Sequence, residues 1–153
     1  MLKVGDRAPS FEGRDQKGNT VRSDELLKRG PVVLFFYPKD FTPGCTREAC
    51  MFRDAYEELD GRGATIVGVS ADSEESHVKF AERYKLPFSL LSDPSRDLSR
   101  RFEVVRPLGL GANRVTYVID RDGVVRGVYH HEISMSAHVR DVQAAIDQLA
   151  PRA

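Results

Sequence analysis

The run Val32-Val33-Leu34-Phe35-Phe36 is apolar at every position, and it constrains this chain more than any other stretch. Half-exposed strands alternate apolar and polar residues, whereas a short run without a polar break, β-branched or aromatic at most positions, reads as a buried strand. Gly30-Pro31 punctuate its start. Thr65-Ile66-Val67-Gly68-Val69-Ser70 reads the same way. Between the two, Arg47 to Leu59 is rich in helix formers and contains neither glycine nor proline. The spacing therefore predicts strand, helix, strand. Thr42 is placed to cap that helix, Pro43 suits its first position, and Cys45 falls in its first turn.

The remaining pattern extends this unit. Phe11 to Arg14 and Thr20 to Arg22 predict an N-terminal hairpin, and Ser23 to Lys28 a brief helix. Asp72 or Ser73 caps a helix that runs to Tyr84 and is stopped by Pro87. Phe88 to Leu91 predicts a strand and Leu98 to Phe102 a small helix. Val115 to Ile119 and Val124 to Tyr129 flank Asp120-Arg121-Asp122-Gly123, a hairpin signal. Ala137 to Leu149 is amphipathic, with Val139, Val142, Ile146 and Leu149 on one stripe. The expected fold class is α/β, and the 153 residues are expected to form one domain.

Cys45 is the first candidate for chemistry. A thiol in the first turn of a helix meets unpaired backbone N–H groups and the positive end of the helix dipole, which favour the thiolate. The alternative is a buried, inert cysteine, which the strand–turn–helix setting argues against.

The order Pro38-x-x-x-Thr42-Pro43-x-Cys45 resembles the active-site motif of the peroxiredoxins, thiol-dependent peroxidases. With a second cysteine, Cys50, five residues on, the string Tyr37 to Cys50 is similar to the PrxQ, or bacterioferritin comigratory protein, branch. The resemblance extends along nearly the whole chain. It implies a thioredoxin-like fold with an N-terminal hairpin extension. It also implies reduction of hydrogen peroxide and organic hydroperoxides, with no bound cofactor and thioredoxin or glutaredoxin as reductant. Residue by residue, it makes Cys45 the nucleophile, Thr42 a hydroxyl directed at thiolate and peroxide, and Pro38 and Pro43 the shapers of the loop. Arg114 becomes the active-site cation, with Arg47 and Arg53 in support. The sulfenic acid left on Cys45 condenses with a second thiol, and Cys50 is the candidate. Without the resemblance, Thr42 reads as a plain cap, the prolines as turn residues and Arg114 as a solvated charge.

Geometry adds a constraint of its own. Residues five apart on an intact helix are separated by ~7.5 Å of rise and ~140° of rotation. Their Cα atoms then lie roughly 8–9 Å apart, beyond the ~7 Å reach of a disulfide. Bond formation between Cys45 and Cys50 therefore requires the helix to unwind from about Thr42 to Phe52.

Other readings compete. Cys45 and Cys50 with His77, His130, His131 or His138 are metal-ligand types, but a lone cysteine pair without a matching second pair is a weak zinc signal. Protein dithiol oxidoreductases normally use two intervening residues, where four stand here. A redox-sensing protein would begin from the same thiol. Lys plus Arg equals Asp plus Glu at 23 each, so charge selects neither nucleic acid nor membrane. No basic segment followed by an apolar core opens the chain, and two cysteines make no secreted disulfide framework, so a cytoplasmic setting is expected. With no second cysteine in a tail, a monomer is expected. The apolar stretch 104–113 reads as a packed loop, a reductant-docking surface or an oligomer contact.

Overall fold

The computed structural model describes residues 1–105, 113–130 and 135–149, with Met135 described by its backbone alone. In chain order the elements are β1 (Glu12–Arg14), β2 (Thr20–Arg22), α1 (Ser23–Arg29), β3 (Val32–Phe36), α2 (Pro43–Gly61) and β4 (Thr65–Ser70). They continue with α3 (Glu74–Tyr84), β5 (Ser89–Ser92), α4 (Asp97–Arg101), β6 (Val115–Ile119), β7 (Val125–Tyr129) and α5 (Met135–Leu149). β1 and β2 form the expected hairpin, with Glu12 opposite Arg22.

The main sheet has the order β5-β4-β3-β6-β7. β3, β4 and β5 run parallel, and β6 and β7 are antiparallel additions. Helical crossovers over a parallel pair cover both sheet faces, which is why β3 has no polar position. Its residues divide by the two-residue period of a strand. Val33 and Phe35 join α2, α3 and α5 in one core cluster, packing with Phe52, Phe80, Val142 and Ile146. Val32, Leu34 and Phe36 join the other, with Phe11, Leu98, Phe102 and Tyr117. Each such side chain contributes about 1.5–3 kcal/mol when fully buried. Gly68 belongs to this packing, because a Cβ on β4 there would stand 2.7 Å from the Phe35 ring.

Local chemistry sets the boundaries. Of the two expected caps of α3, Ser73 serves, its hydroxyl accepting from the Ser76 N–H. α3 ends at Tyr84 as expected, and Lys85 follows with a left-handed backbone at φ 53°. Val124 stands outside β7 because its N–H donates to the Asp120 carboxylate. The apolar stretch lies largely outside the described residues; Val104 at its start is buried. Among the described residues no helix is long and apolar enough to cross a membrane.

Two strand registers bring distant segments to one edge of the sheet. Phe36 is opposite Val115, so the loop leaving β3 and the residue entering β6, Arg114, meet there. Phe36 also pairs with Val69, and Val69 with Leu91, so the segments leaving β4 and β5 end at the same edge. Carboxyl ends of parallel strands are where sheets of this kind build their sites.

Candidate active site

At that edge Cys45 begins α2, its side chain 1% exposed. Thr42 holds the N-cap backbone conformation and Pro43 the first helical position, but Thr42 does not cap with its side chain. Its hydroxyl instead donates to the Lys39 carbonyl at 2.8 Å. That hydrogen bond closes the loop on itself and leaves the Thr42 oxygen as an acceptor toward anything bound above it. Pro38 is half-buried in the same loop.

Arg114 reaches across from β6. Its Nη1 lies 3.4 Å from Cys45 Sγ and 3.2 Å from Glu48 Oε1. Burial by itself lowers the tendency of a guanidinium to stay charged, yet Glu48 and Cys45 together push Arg114 above its ordinary value. A fixed cation against sulfur is what a thiolate nucleophile needs. Gly44 makes the approach possible, because a Cβ there would stand 2.9 Å from Arg114 Nη2.

Glu48 is fully buried, three residues after Cys45 and on the same side of α2. Beyond its contact with Arg114, its Oε2 lies 3.3 Å from Nε2 of His138 on α5. His138 also hydrogen-bonds the Thr116 hydroxyl on β6. A second buried pair lies on the other side of the loop. Asp40 Oδ2 is 2.7 Å from His77 Nδ1 and accepts from Ser76 at 2.9 Å, while its Oδ1 accepts from Tyr37 at 2.6 Å. Burial first, then Asp40, pushes Tyr37 well above the usual phenol value, so it stays a donor. The Asp40 N–H donates to Asp72 at 2.8 Å. Phe41 comes next with a left-handed φ of 64° and rests its ring on Phe80, centroids 5.1 Å apart.

Cys50 lies two turns into α2, half-buried and reduced, as Cys45 is. Burial pushes its thiol above the ordinary value, with Asp54 adding to the shift and Arg53 opposing it. Arg53 donates to the Tyr84 carbonyl rather than to the site, and Arg47 is exposed. Of the metal-type histidines, His77 and His138 are engaged with carboxylates, His130 is exposed and His131 lies outside the described residues. Asp40, Asp72 and His77 bring ligand-type atoms within 4.8 Å of one another, but the Asp40 and His77 atoms already bond each other and Asp72 accepts from Asp40 and Ser70. A cavity of about 480 Å³ between Arg7, Phe11, Leu27, Val32 and Ile119 sits at the opposite end of β3 and touches none of these groups.

The AhpC/TSA family model matches residues 4–128. Peroxiredoxin Q of Sedum lineare, a chloroplastic protein, is 44% identical over 146 residues, covering 95% of this chain and 78% of that one. The crystal structure of peroxidoxin BcpB from Mycobacterium tuberculosis superposes with a TM-score of 0.91 at 42% identity, covering 100% of both chains. The chain belongs to the AhpC/TSA family, as a peroxiredoxin of the Q type. Bacterioferritin comigratory protein of Xanthomonas campestris, described for alkyl peroxide reduction, is similar with a TM-score of 0.84 at 32% identity over 92% of each chain. The fold is accordingly thioredoxin-like, and the peroxiredoxin is a peroxidase oxidoreductase.

Within this peroxiredoxin the fold brings Cys45, Arg114, Thr42 and Pro38 to one edge, with Cys50 further along α2. Sequence reasoning missed Gly44, Glu48 and Asp40, and named His77 and His138 only as metal-ligand types. Two of these carried a signal. Glu48 comes after Cys45 at a same-face helical spacing. His138 stands on the apolar stripe of α5, four residues before Val142, where a solvated histidine does not belong.

Proposed function

We propose that this peroxiredoxin reduces hydrogen peroxide and organic hydroperoxides through a Cys45 sulfenic acid that Cys50 resolves as an intramolecular disulfide. The observation that carries the reading is the Arg114 guanidinium, shared between Cys45 Sγ at 3.4 Å and Glu48 Oε1 at 3.2 Å. The Cys45 thiolate attacks the terminal peroxide oxygen in line. The S–O bond forms as the O–O bond breaks, and the leaving oxygen departs as water or alcohol after taking a proton. Arg114 faces the charge developing along that line, and such fixed donors are the largest catalytic contribution in many enzymes. The Thr42 oxygen, its own proton committed to Lys39, accepts from the peroxide O–H, and Pro38 and Pro43 keep water from the sulfur. The alkyl peroxide activity of the Xanthomonas relative supports organic hydroperoxides as substrates.

In the second step the Cys50 sulfur attacks the sulfenic sulfur, the S–S bond forms, and the sulfenic oxygen leaves as water. On intact α2 the two Cα atoms stand roughly 8–9 Å apart, so this step unwinds the helix between them. Thioredoxin or glutaredoxin then supplies two thiols that return the disulfide to the dithiol, and the enzyme works as a cytoplasmic monomer. NADPH consumption with hydrogen peroxide, thioredoxin and thioredoxin reductase tests the reading. Cys45→Ser should abolish turnover and Cys50→Ser reduce it strongly. A wild-type Cys45 that peroxide never oxidises would sink it.

A further inference from the structure

We infer that His138 is a positioning residue for the peroxide reaction: through Glu48 it holds the Arg114 guanidinium on the Cys45 sulfur. The inference rests on Cys45 being the peroxide nucleophile. The chain of contacts is short and buried throughout. His138 Nε2 stands 3.3 Å from Glu48 Oε2, Glu48 Oε1 accepts from Arg114 Nη1 at 3.2 Å, and the same Nη1 reaches Cys45 Sγ at 3.4 Å.

That shared nitrogen makes the arrangement sensitive. Sulfur and carboxylate draw on the two N–H groups of one nitrogen, so the position of the Glu48 carboxylate sets where the guanidinium points. Carboxylates rotate about a broad terminal torsion. Arg114 alone would draw Glu48 toward itself and away from the geometry that keeps Nη1 on sulfur. A polar ring packed against the far oxygen restrains that rotation, and His138 supplies it from a different element, its Nε2 bonded to Thr116 and 3.3 Å from Glu48 Oε2.

His138 is itself held from three sides. Its ring meets Phe52 of α2 edge-on, with centroids 6.3 Å apart and planes at 82°, and it hydrogen-bonds Thr116, two residues after Arg114 on β6. Its own helix places it on the buried stripe with Val142, Ala145 and Ile146. His138 is 0% exposed, and Glu48 and Arg114 stand between it and the sulfur, so it acts on the reaction only through them.

Two substitutions separate positioning from folding. His138→Leu keeps bulk and removes the polar group beside Glu48, whereas His138→Gln keeps a polar group near the Nε2 position. Single-turnover oxidation of the reduced protein by hydrogen peroxide is measured beside the urea midpoint of each variant. Misplacing a catalytic group by about 1 Å costs on the order of 10²-fold. The expected loss for His138→Leu is therefore roughly 10- to 100-fold in the peroxide step, and His138→Gln recovers most of it although both variants lose some stability. An unchanged rate in His138→Leu overturns the inference. So does a His138→Gln rate that falls as far as that of His138→Leu, in step with its urea midpoint. A wild-type protein that reacts alongside such variants keeps the peroxidase reading intact, and one that does not react removes both.

Discussion

Two buried histidine–carboxylate pairs flank Cys45, and they hold different things. Asp40–His77 ties down the loop that precedes the cysteine. Each of its polar atoms is engaged: Tyr37, Ser76 and His77 converge on the carboxylate, and His77 Nε2 meets the Leu91 carbonyl at 3.0 Å. Glu48–His138 ties down the helix on the far side of the cysteine, where Glu48 lies between the two thiols. The first pair anchors backbone that has no reason to move during the proposed cycle. The second anchors a turn that must come apart for Cys45 and Cys50 to meet. A fold can keep a reactive thiol rigid for one step and release it for the next by fastening its two sides independently.

The strongest challenge to this division is to cut each pair. Removing a buried carboxylate costs about 3–5 kcal/mol where a partner charge such as Arg114 stays buried. It costs about 1–3 kcal/mol for each buried donor left unpaired, as Tyr37, Ser76 and His77 would be without Asp40. Glu48→Ala and Asp40→Ala should each lower the unfolding free energy from urea titration by several kcal/mol. Equal stability with wild type would show that neither pair fastens anything. Next in size is Arg114→Gln, which leaves both pairs' histidines in place. Losing one such donor lowers the peroxide rate by about 10²–10³-fold. A loss under threefold would remove Arg114 from the reaction.

Gly44→Ala probes the same contact more gently. The added methyl would press on Arg114 Nη2 and shift the guanidinium whose Nη1 meets sulfur and Glu48. Peroxide oxidation should slow by roughly tenfold, since displacements of this kind act through geometry. Equal slowing and unfolding in the urea titration would count against it.

Oxidation itself separates the two sides. Amide exchange in the disulfide form should rise from about Thr42 to Phe52, while residues 37–40, behind Asp40–His77, stay protected. Faster exchange on both sides would mean that the loop is not independently anchored. The smallest effect concerns pH. Burial holds the Cys50 thiol above its ordinary value in the folded state, so the unfolded chain ionises first as pH rises. The stability Cys50 contributes is complete below the usual thiol range near ~8.5 and declines as pH climbs through the raised value. Wild type should therefore lose slightly more stability than Cys50→Ser between neutral and alkaline pH, read from urea midpoints. A parallel decline would refute the shift.

Much of this was legible in the chain alone. β3 and β4 match the runs read from the sequence residue for residue, because a strand buried on both faces carries an apolar stretch that stands out from its flanks. The start of α2 was equally readable, since Pro43 is tolerated at the first helical position and a run without glycine or proline continues it. The end of α3 at Tyr84 was readable too, although the left-handed turn at Lys85 that closes it was not. Thr42 looked like a cap and is one in backbone only, because its hydroxyl found the nearer Lys39 carbonyl.

Cys45, Thr42 and Pro38 stand close together in sequence, so a local pattern could announce them together. Arg114 needed the family resemblance, because its use depends on β6 pairing antiparallel to β3 with Val115 opposite Phe36. Glu48, His138, Asp40 and His77 were harder still. Each is charged or titratable and buried, which composition treats as exceptional, and each is tolerable only because a partner from another element stands beside it. Local chemistry along the chain determined the strands, the start of the helix and the thiol at its head. Which distant charges converge on that thiol was decided by strand register and helix packing, since a buried ion's partners are chosen by proximity in space and not by spacing in sequence.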